Sequence, residues 1–490
     1  MLTEDAVGGL GGLSDDELVG VLRATQRQVA REQYKQVLAT AEFGRRRQAA
    51  FEAAARRGIP AGCRPGGFPG EELAVELVIT RAEAGHRIDD ALDLTTRLPA
   101  TLAGMAAGQV DEARAGLIAF YTRSLGPADA AGADEVLAAA APQLRVDQLA
   151  RKAAALEMKL NPAGVAARKE HARRSGQRVE ARREISGNAC LSGRELDTAD
   201  VLAAKAHIDA IAVRLRGSGL LEGNLDRLRA LAFTDLTLGR DPLDRLHPAS
   251  PSAGPASPCP GPASPSAGPA STPAGPEPGP PAPLPALINL IIPAGTLLGW
   301  SSAPAQAGAW GILDRDETRA VASAAAQHPR TRWCLTLTAP DGTALAHGCA
   351  RGPRPALLAG LAPQPQPAQL AQLLHRLNLT ITPLARVCCG HAQAENHYTP
   401  SRALRHLVRA RTSHCDAPGC DTPAASTDLD HTVPWPDGPT DQGNLAPRCR
   451  THHRAKQAPD WTAEQTAPGV TQWTMPSGRT HTTTPTIYDT

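Results

Sequence analysis

Apolar residues return at helical spacing from near the start of the chain: Leu18, Val21, Leu22 and Val29 fall on one stripe of a 3.6-residue repeat. The run is introduced by Ser14-Asp-Asp-Glu17, the S-x-x-E of a capping box, and predicts a helix reaching to about Arg46. A second helical stretch is expected over residues 71–96. Ala- and Leu-rich segments continue the pattern through Leu156, Asn161-Pro162 interrupts it, and residues 201–215 and 225–238 read as two more helices. Residues 1–247 are therefore expected to form a mainly α region. Within it, residues 168–183 are rich in Arg and Lys but diluted by Glu170, Glu180 and Glu184. This run is expected to be a solvated helix face or loop, with phosphate contact as the weaker alternative.

The pattern then stops. Residues 248–285 are low in complexity, and Pro251-Ser-Ala-Gly-Pro-Ala-Ser257 recurs as Pro265-Ser-Ala-Gly-Pro-Ala-Ser271. Pro, Gly, Ala and Ser cannot bury a core, so this is an insert or linker of polyproline character, and its Cys259 is expected to be idle. Residues 286–400 read as a small α+β continuation. A short β element is expected over 286–298 and a helix over 316–328. Two strands, 333–338 and 343–348, flank the turn Pro340-Asp-Gly342, and a further helix is expected over 368–377. At the far end, residues 461–490 alternate around Pro476-Ser-Gly478, which predicts a hairpin packed on the segment before it.

Composition narrows the classes. The 490 residues are 42% hydrophobic but only 3% aromatic, so the core must be built from Ala, Leu and Val. A formal net charge of +2 gives no global polyanion-binding footprint, and any such surface must be local. The preference for Arg over Lys reads as coding bias. No signal peptide is seen, and the apolar stretch 284–298 is short and broken by Pro285 and Pro293. The expectation is a soluble, cytoplasmic protein with no membrane partner. In a reducing compartment, clustered cysteines point to metal more than to disulfides. Cys388-Cys389 with His391 lacks a second pair and is expected to pack as small apolar side chains.

One region differs in kind. It reads Cys415-Asp-Ala-Pro-Gly-Cys420, then Asp428-Leu-Asp430-His431, Gly443-Asn444-Leu445 and Cys449-Arg-Thr-His452-His453-Arg-Ala-Lys456. Cys415 and Cys420 have knuckle spacing, and Cys449 with a following His supplies the second pair of a Cys3His structural zinc site. In a short module with few large apolar residues the metal substitutes for a core. Asp430 is a hard carboxylate for a divalent cation, and His431 can act as general base. Adjacent residues on a helix point about 100° apart, so His452 and His453 cannot easily serve one metal. Cys449 reaches both, at i+3 and i+4, so spacing leaves open which one completes the zinc site.

These strings resemble the HNH, or ββα-metal, endonuclease family, in its zinc-bound branch. The resemblance implies a ββα-metal module over residues 401–460, with structural zinc on Cys415, Cys420, Cys449 and His452. It also implies catalytic magnesium or manganese on Asp430 and His453, His431 as general base, and Asn444 as the residue that orients the loop or completes the metal shell. Arg454 and Lys456 would meet phosphates, and Arg409, Arg411, Arg448 and Arg450 flank the same site. This chain departs from the family pattern in having His452 where the family usually has a Cys. Tyr398-Thr-Pro-Ser401, Asp430-His-Thr-Val-Pro-Trp-Pro436, Leu94-Thr-Thr-Arg-Leu-Pro-Ala100, Leu191-Ser-Gly193 and Leu297-Leu-Gly299 are similar to an actinobacterial group. That group joins such a module to a helical domain of unknown function (domain of unknown function 222). The implied activity is hydrolysis of nucleic acid, with double-stranded DNA as the expected polymer. The alternative is a catalytically silent, zinc-dependent nucleic-acid-binding module.

Overall fold

The computed structural model describes residues 9–246, 291–298, 300–307, 312–338, 344–353, 368, 371–372, 375–376, 378, 382–383 and 394–487. The Pro-rich segment, the turn at 340–342, Cys388, Cys389, His391 and half of the helix expected over 368–377 lie outside the described residues. The chain divides into two compact units, Met1–Ala167 with Pro281–Thr490, and Arg168–Pro280. The expected helical region 1–247 is thus shared between both. Among the described residues no helix is long and apolar enough to cross a membrane.

In the first unit, helix α1 spans Asp15–Arg56, ten residues beyond the expected end. The capping box at its start is formed: Ser14 Oγ accepts from Glu17 N, and Glu17 accepts from Ser14 N at 2.8 Å. The single helix expected over 71–96 is two, α2 (Pro69–Leu77) and α3 (Arg81–Arg97). The break falls at Val78, which adopts a left-handed φ of 54°, and Thr80 then caps α3 through Glu83 N. Four shorter helices complete a bundle: α4 (Pro99–Ala106), α5 (Glu112–Thr122), α6 (Pro127–Ala140) and α7 (Val146–Leu160). Leu94, Leu98, Met105, Ile118, Leu137 and Leu149 form its core. Small residues let the helices close up; a Cβ on Gly44 of α1 would meet Ile88 of α3 at 3.0 Å. Buried Asp134 accepts from Ala100 N and Thr101 N, satisfying amides at the start of α4 that water cannot reach.

Helix α8 (Pro162–Gly176) starts at the expected Asn161-Pro162 break. The basic run 168–183 is the end of this helix and then a strand. In the second unit, strand β1 (Arg178–Arg183) pairs antiparallel with β2 (Ala189–Arg194), and α9 (Thr198–Gly217) packs on α10 (Leu225–Thr237) around Ile211, Leu215 and Leu228. Glu170 pairs with Arg174, and Glu180 with Arg178, so much of the run's charge is matched locally.

After the Pro-rich segment, residues 294–298 form a short helix, α11 (Ala294–Leu298), where a β element was expected. The Pro293 carbonyl accepts from Thr296 N and Leu297 N, and proline's fixed φ suits a helix start. The short strands β3 (Ala305–Gln306) and β4 (Ile312–Leu313) pair. Then follow α12 (Arg315–Ala326) and a three-stranded sheet of β5 (Arg332–Thr338), β6 (Ala344–Arg351) and β7 (Thr382–Pro383).

The C-terminal part opens with α13 (Arg402–Arg411). Strands β8 (Asp428–His431) and β9 (Leu445–Arg448) form an antiparallel pair with Asp430 opposite Ala446, and α14 (Arg450–Gln457) follows directly. The tail is a three-stranded sheet, β10 (Thr462–Ala467), β11 (Val470–Thr474) and β12 (Thr480–Thr483), one strand more than the expected hairpin. This part rests on the helical bundle. Phe68 and Val75 pack against the cluster that contains Trp461, Trp473 and Met475. Buried Glu72 of α2 pairs with Arg47 at 2.8 Å and accepts from Ser477 N at 2.8 Å, while Glu76 pairs with Arg479 at 2.8 Å.

Candidate metal centre and acid–imidazole site

Cys415 and Cys420 sit on one tight loop. Cys415 N donates to Thr422 O and Cys420 N to Ala417 O, a turn that Gly419 permits with a φ of 68°. Cys449 is the N-cap of α14, and its amide donates to Cys415 Sγ at 3.3 Å. One helical turn later, His452 directs Nδ1 at Cys449 Sγ (3.1 Å) and Cys415 Sγ (3.6 Å), and all four ligand atoms lie within 4.8 Å of one another. A tetrahedral zinc with Zn–S of about 2.3 Å and Zn–N of about 2.0 Å separates sulfur from nitrogen by roughly 3.5 Å, so the donor set and its spacing fit.

The electrostatics agree. Contacts with Cys415 and Cys420 push the Cys449 thiol down, and the Cys415 contact does the same for Cys420. Hydrogen bonds to Cys420 and Cys449 push Cys415 up. Burial pulls His452 down, but Cys420 and Cys449 overcome it and leave its pKa raised to about 9. Four groups crowded in this way are competing for positive charge, which one dication supplies. Trp473, fully buried, stands edge-on to His452 and donates from Nε1 to Asp416 O at 3.1 Å.

The second site begins one residue along. His453 directs Nε2 at Asp430 Oδ1 (3.2 Å) and Nδ1 at Asp428 Oδ2 (3.1 Å). The other Asp430 oxygen, Oδ2, receives Arg448 at 2.7 Å and Lys456 at 2.8 Å. Burial pushes the Asp430 carboxyl up, but His453, Arg448 and Lys456 together hold it well below the usual carboxylate range. The hydrogen bond to Asp430 raises His453 in return. Arg448 is wholly buried and also pairs with Asp416 at 2.9 Å, so one guanidinium joins the cysteine loop to Asp430.

His431, the next residue on β8, has different partners. Its Nε2 lies 2.8 Å from Thr440 Oγ1, and its ring stacks on exposed Tyr398 with centroids 5.3 Å apart. Burial lowers its pKa, which keeps the imidazole neutral near neutral pH. Asn444 uses its whole amide on the loop between β8 and β9: Oδ1 accepts from Val433 N, and Nδ2 donates to Val433 O and Pro439 O. Of the two roles open to it, the geometry is that of a loop clamp.

The expected residues fall into these groups with departures among the cations. Lys456, expected at a phosphate, is turned inward onto Asp430 and the carbonyls of His431 and Thr432. Arg448 and Arg411 are likewise internal; Arg411 donates to Gln442 O and Leu445 O. Arg450 pairs with Asp428, whereas Arg454 remains exposed. Asp428, Asp416 and Thr440 were not singled out from the sequence. Asp428 alternates with Asp430 on β8, and that period-two spacing was the available signal.

These features define a helical protein whose C-terminal part carries a Cys3His cluster fit for a metal ion. Residues 35–214 match the family described as Domain of unknown function (DUF222). Uncharacterized protein Rv2100 of Mycobacterium tuberculosis (strain H37Rv) is 43% identical over 120 residues, 24% of this chain and 22% of that protein. Uncharacterized protein Rv3776 of the same strain is 36% identical over 192 residues, 38% of this chain and 36% of that protein. The chain thus spans roughly a fifth to a little over a third of these two relatives. No solved structure matches it.

Proposed function

We propose that residues 401–460 form an HNH-type endonuclease module that hydrolyses phosphodiester bonds of DNA. The observation that supports this reading is the convergence of Asp430, His431, Asn444 and His453 on one strand–strand–helix unit beside a complete Cys3His set. Cys415, Cys420, Cys449 and His452 would hold a structural zinc. The pair Asp430 and His453 is a carboxylate and an imidazole already 3.2 Å apart, a donor set that suits magnesium or manganese. Such a cation, when bound, supplies positive charge to a phosphoryl oxygen.

The chain's own residues do the rest. When Nε2–H of His431 donates to Thr440, Nδ1 is left as the proton acceptor for a water, and the lowered pKa keeps it unprotonated. Asn444 fixes the loop that bears Thr440, and Arg448 and Lys456 hold the Asp430 carboxylate still.

The test is incubation of purified, zinc-loaded protein with plasmid, linear DNA and RNA, with and without magnesium or manganese. Metal-dependent strand cleavage that disappears in His431→Ala is expected. DNA binding with no cleavage under any metal would instead establish the silent binding module, which the full engagement of both His453 nitrogens favours.

A further inference from the structure

Helix α13 carries four arginines and no acidic residue. Leu404 and Val408 face inward onto Leu445, and Arg411 is turned in with them. Arg402, Arg405 and Arg409 stand at i, i+3 and i+7 and share the opposite stripe. Among the described residues, none of these three forms an ion pair. Several arginines of the bundle differ: Arg46 pairs with Glu42, Arg87 with Glu83 and Arg123 with Asp90.

Arg402 and Arg405 are exposed, and Arg409 is half-buried. One terminal nitrogen of Arg409 donates to Thr427 O at 3.2 Å, but its Nε is buried with no hydrogen-bond partner. Burial and the nearby charge of Arg405 both push the Arg409 pKa down. A half-desolvated guanidinium with an orphaned N–H and no carboxylate is short of an anion. Its place also bears on the site: Thr427 leads into β8, whose far end carries His431, about 13 Å further by strand rise.

We propose that the Arg402–Arg405–Arg409 stripe is the track on which the phosphate backbone of duplex DNA lies, with the Arg409 guanidinium at the end of the track nearest β8. This rests on the nuclease reading and adds where the substrate runs. Arginine forks match phosphate oxygens two at a time. The helix has no Phe, Tyr or Trp, so it offers charge without a stacking platform. That suits a paired, stacked duplex over the splayed bases of a single strand.

The test measures affinity of the zinc-loaded full chain for a short duplex DNA as a function of salt, without magnesium or manganese. In Arg402→Gln/Arg405→Gln, whose side chains are exposed, the slope of log K against log salt should fall by about 0.9 for each phosphate no longer neutralised, so by about 2. Zinc content should not change. Arg409→Lys keeps the charge but loses the fork, and should weaken binding while leaving the slope close to that of the parent. An unchanged slope and affinity in the double variant overturns the track and leaves the nuclease reading standing. Equal or tighter binding of single-stranded DNA overturns the duplex assignment. Salt-independent or absent DNA binding by the parent protein removes the nuclease reading and the track together.

Discussion

His452 and His453 are neighbours on α14, yet the first turns Nδ1 onto Cys449 at 3.1 Å and the second turns Nε2 onto Asp430 at 3.2 Å. The rotation of about 100° per helical residue divides them between two sites. Their variants should therefore differ in kind. His452→Ala should lose zinc and the fold of the C-terminal part. His453→Ala should keep zinc but need more magnesium or manganese for cleavage. His431→Ala should keep both metals and lose about 10²–10⁴-fold in rate, the scale of a missing general base. Metal content, metal titration and rate are separate readouts, and a His453→Ala protein without zinc would reverse the assignment.

Removal of the cluster's metal should unfold the module. Structural zinc contributes on the order of 10–16 kcal/mol of apparent binding free energy in small domains. Cys415→Ser or a chelator should therefore expose buried Trp461 and Trp473, read as a red shift in tryptophan emission. Acid should do the same, because protons compete with the metal for thiolates and imidazole. Native emission from a protein shown to be metal-free would contradict this.

Arg448→Met should cost about 3–5 kcal/mol, the range for breaking a buried ion pair, because it leaves Asp416 and Asp430 buried with fewer partners. Urea titration of the zinc-loaded variant measures this directly. Arg448→Lys should recover only part of the loss, since an ammonium cannot bridge both carboxylates as the fork does. A midpoint equal to that of the parent would show that the link between cysteine loop and Asp430 has no energetic weight.

Asn444→Ala removes three part-buried hydrogen bonds that tie Val433 and Pro439 of the loop between β8 and β9 to Asn444. A loss of about 1–3 kcal/mol is expected. Cleavage should fall with zinc retained, and faster hydrogen exchange should be confined to residues 433–440. Exchange that stays at the parent rate there would refute the clamp.

Much of this was legible in the sequence, and for local reasons. The Ser14 cap and the Asn161-Pro162 break depend on a few adjacent residues and form as expected, and each cysteine pair is local too, but spacing left His452 and His453 open and only the fold turns His452 onto the cysteines. The failures share the opposite cause. Nothing near Val78 announces a left-handed residue, and the helix was read straight through it. Arg448 and Lys456 looked like phosphate contacts because a basic residue beside a motif gives no sign of its depth. Only the folded chain shows the first wholly buried and the second on Asp430. Glu72 and Ser477, 405 residues apart, have no sequence signal linking them at all.

That last contact limits what can be transplanted. Phe68 and Val75 form one wall of the cluster that contains Trp473, and Glu72 latches the turn above it. A chimera that took residues 401–487 alone would carry all four Cys3His residues and still present a greasy, open flank. Its host would have to provide an equivalent of α2, or the graft would aggregate. The Cys3His part and the helix that seals it are thus one packing unit, although hundreds of residues lie between them in the sequence.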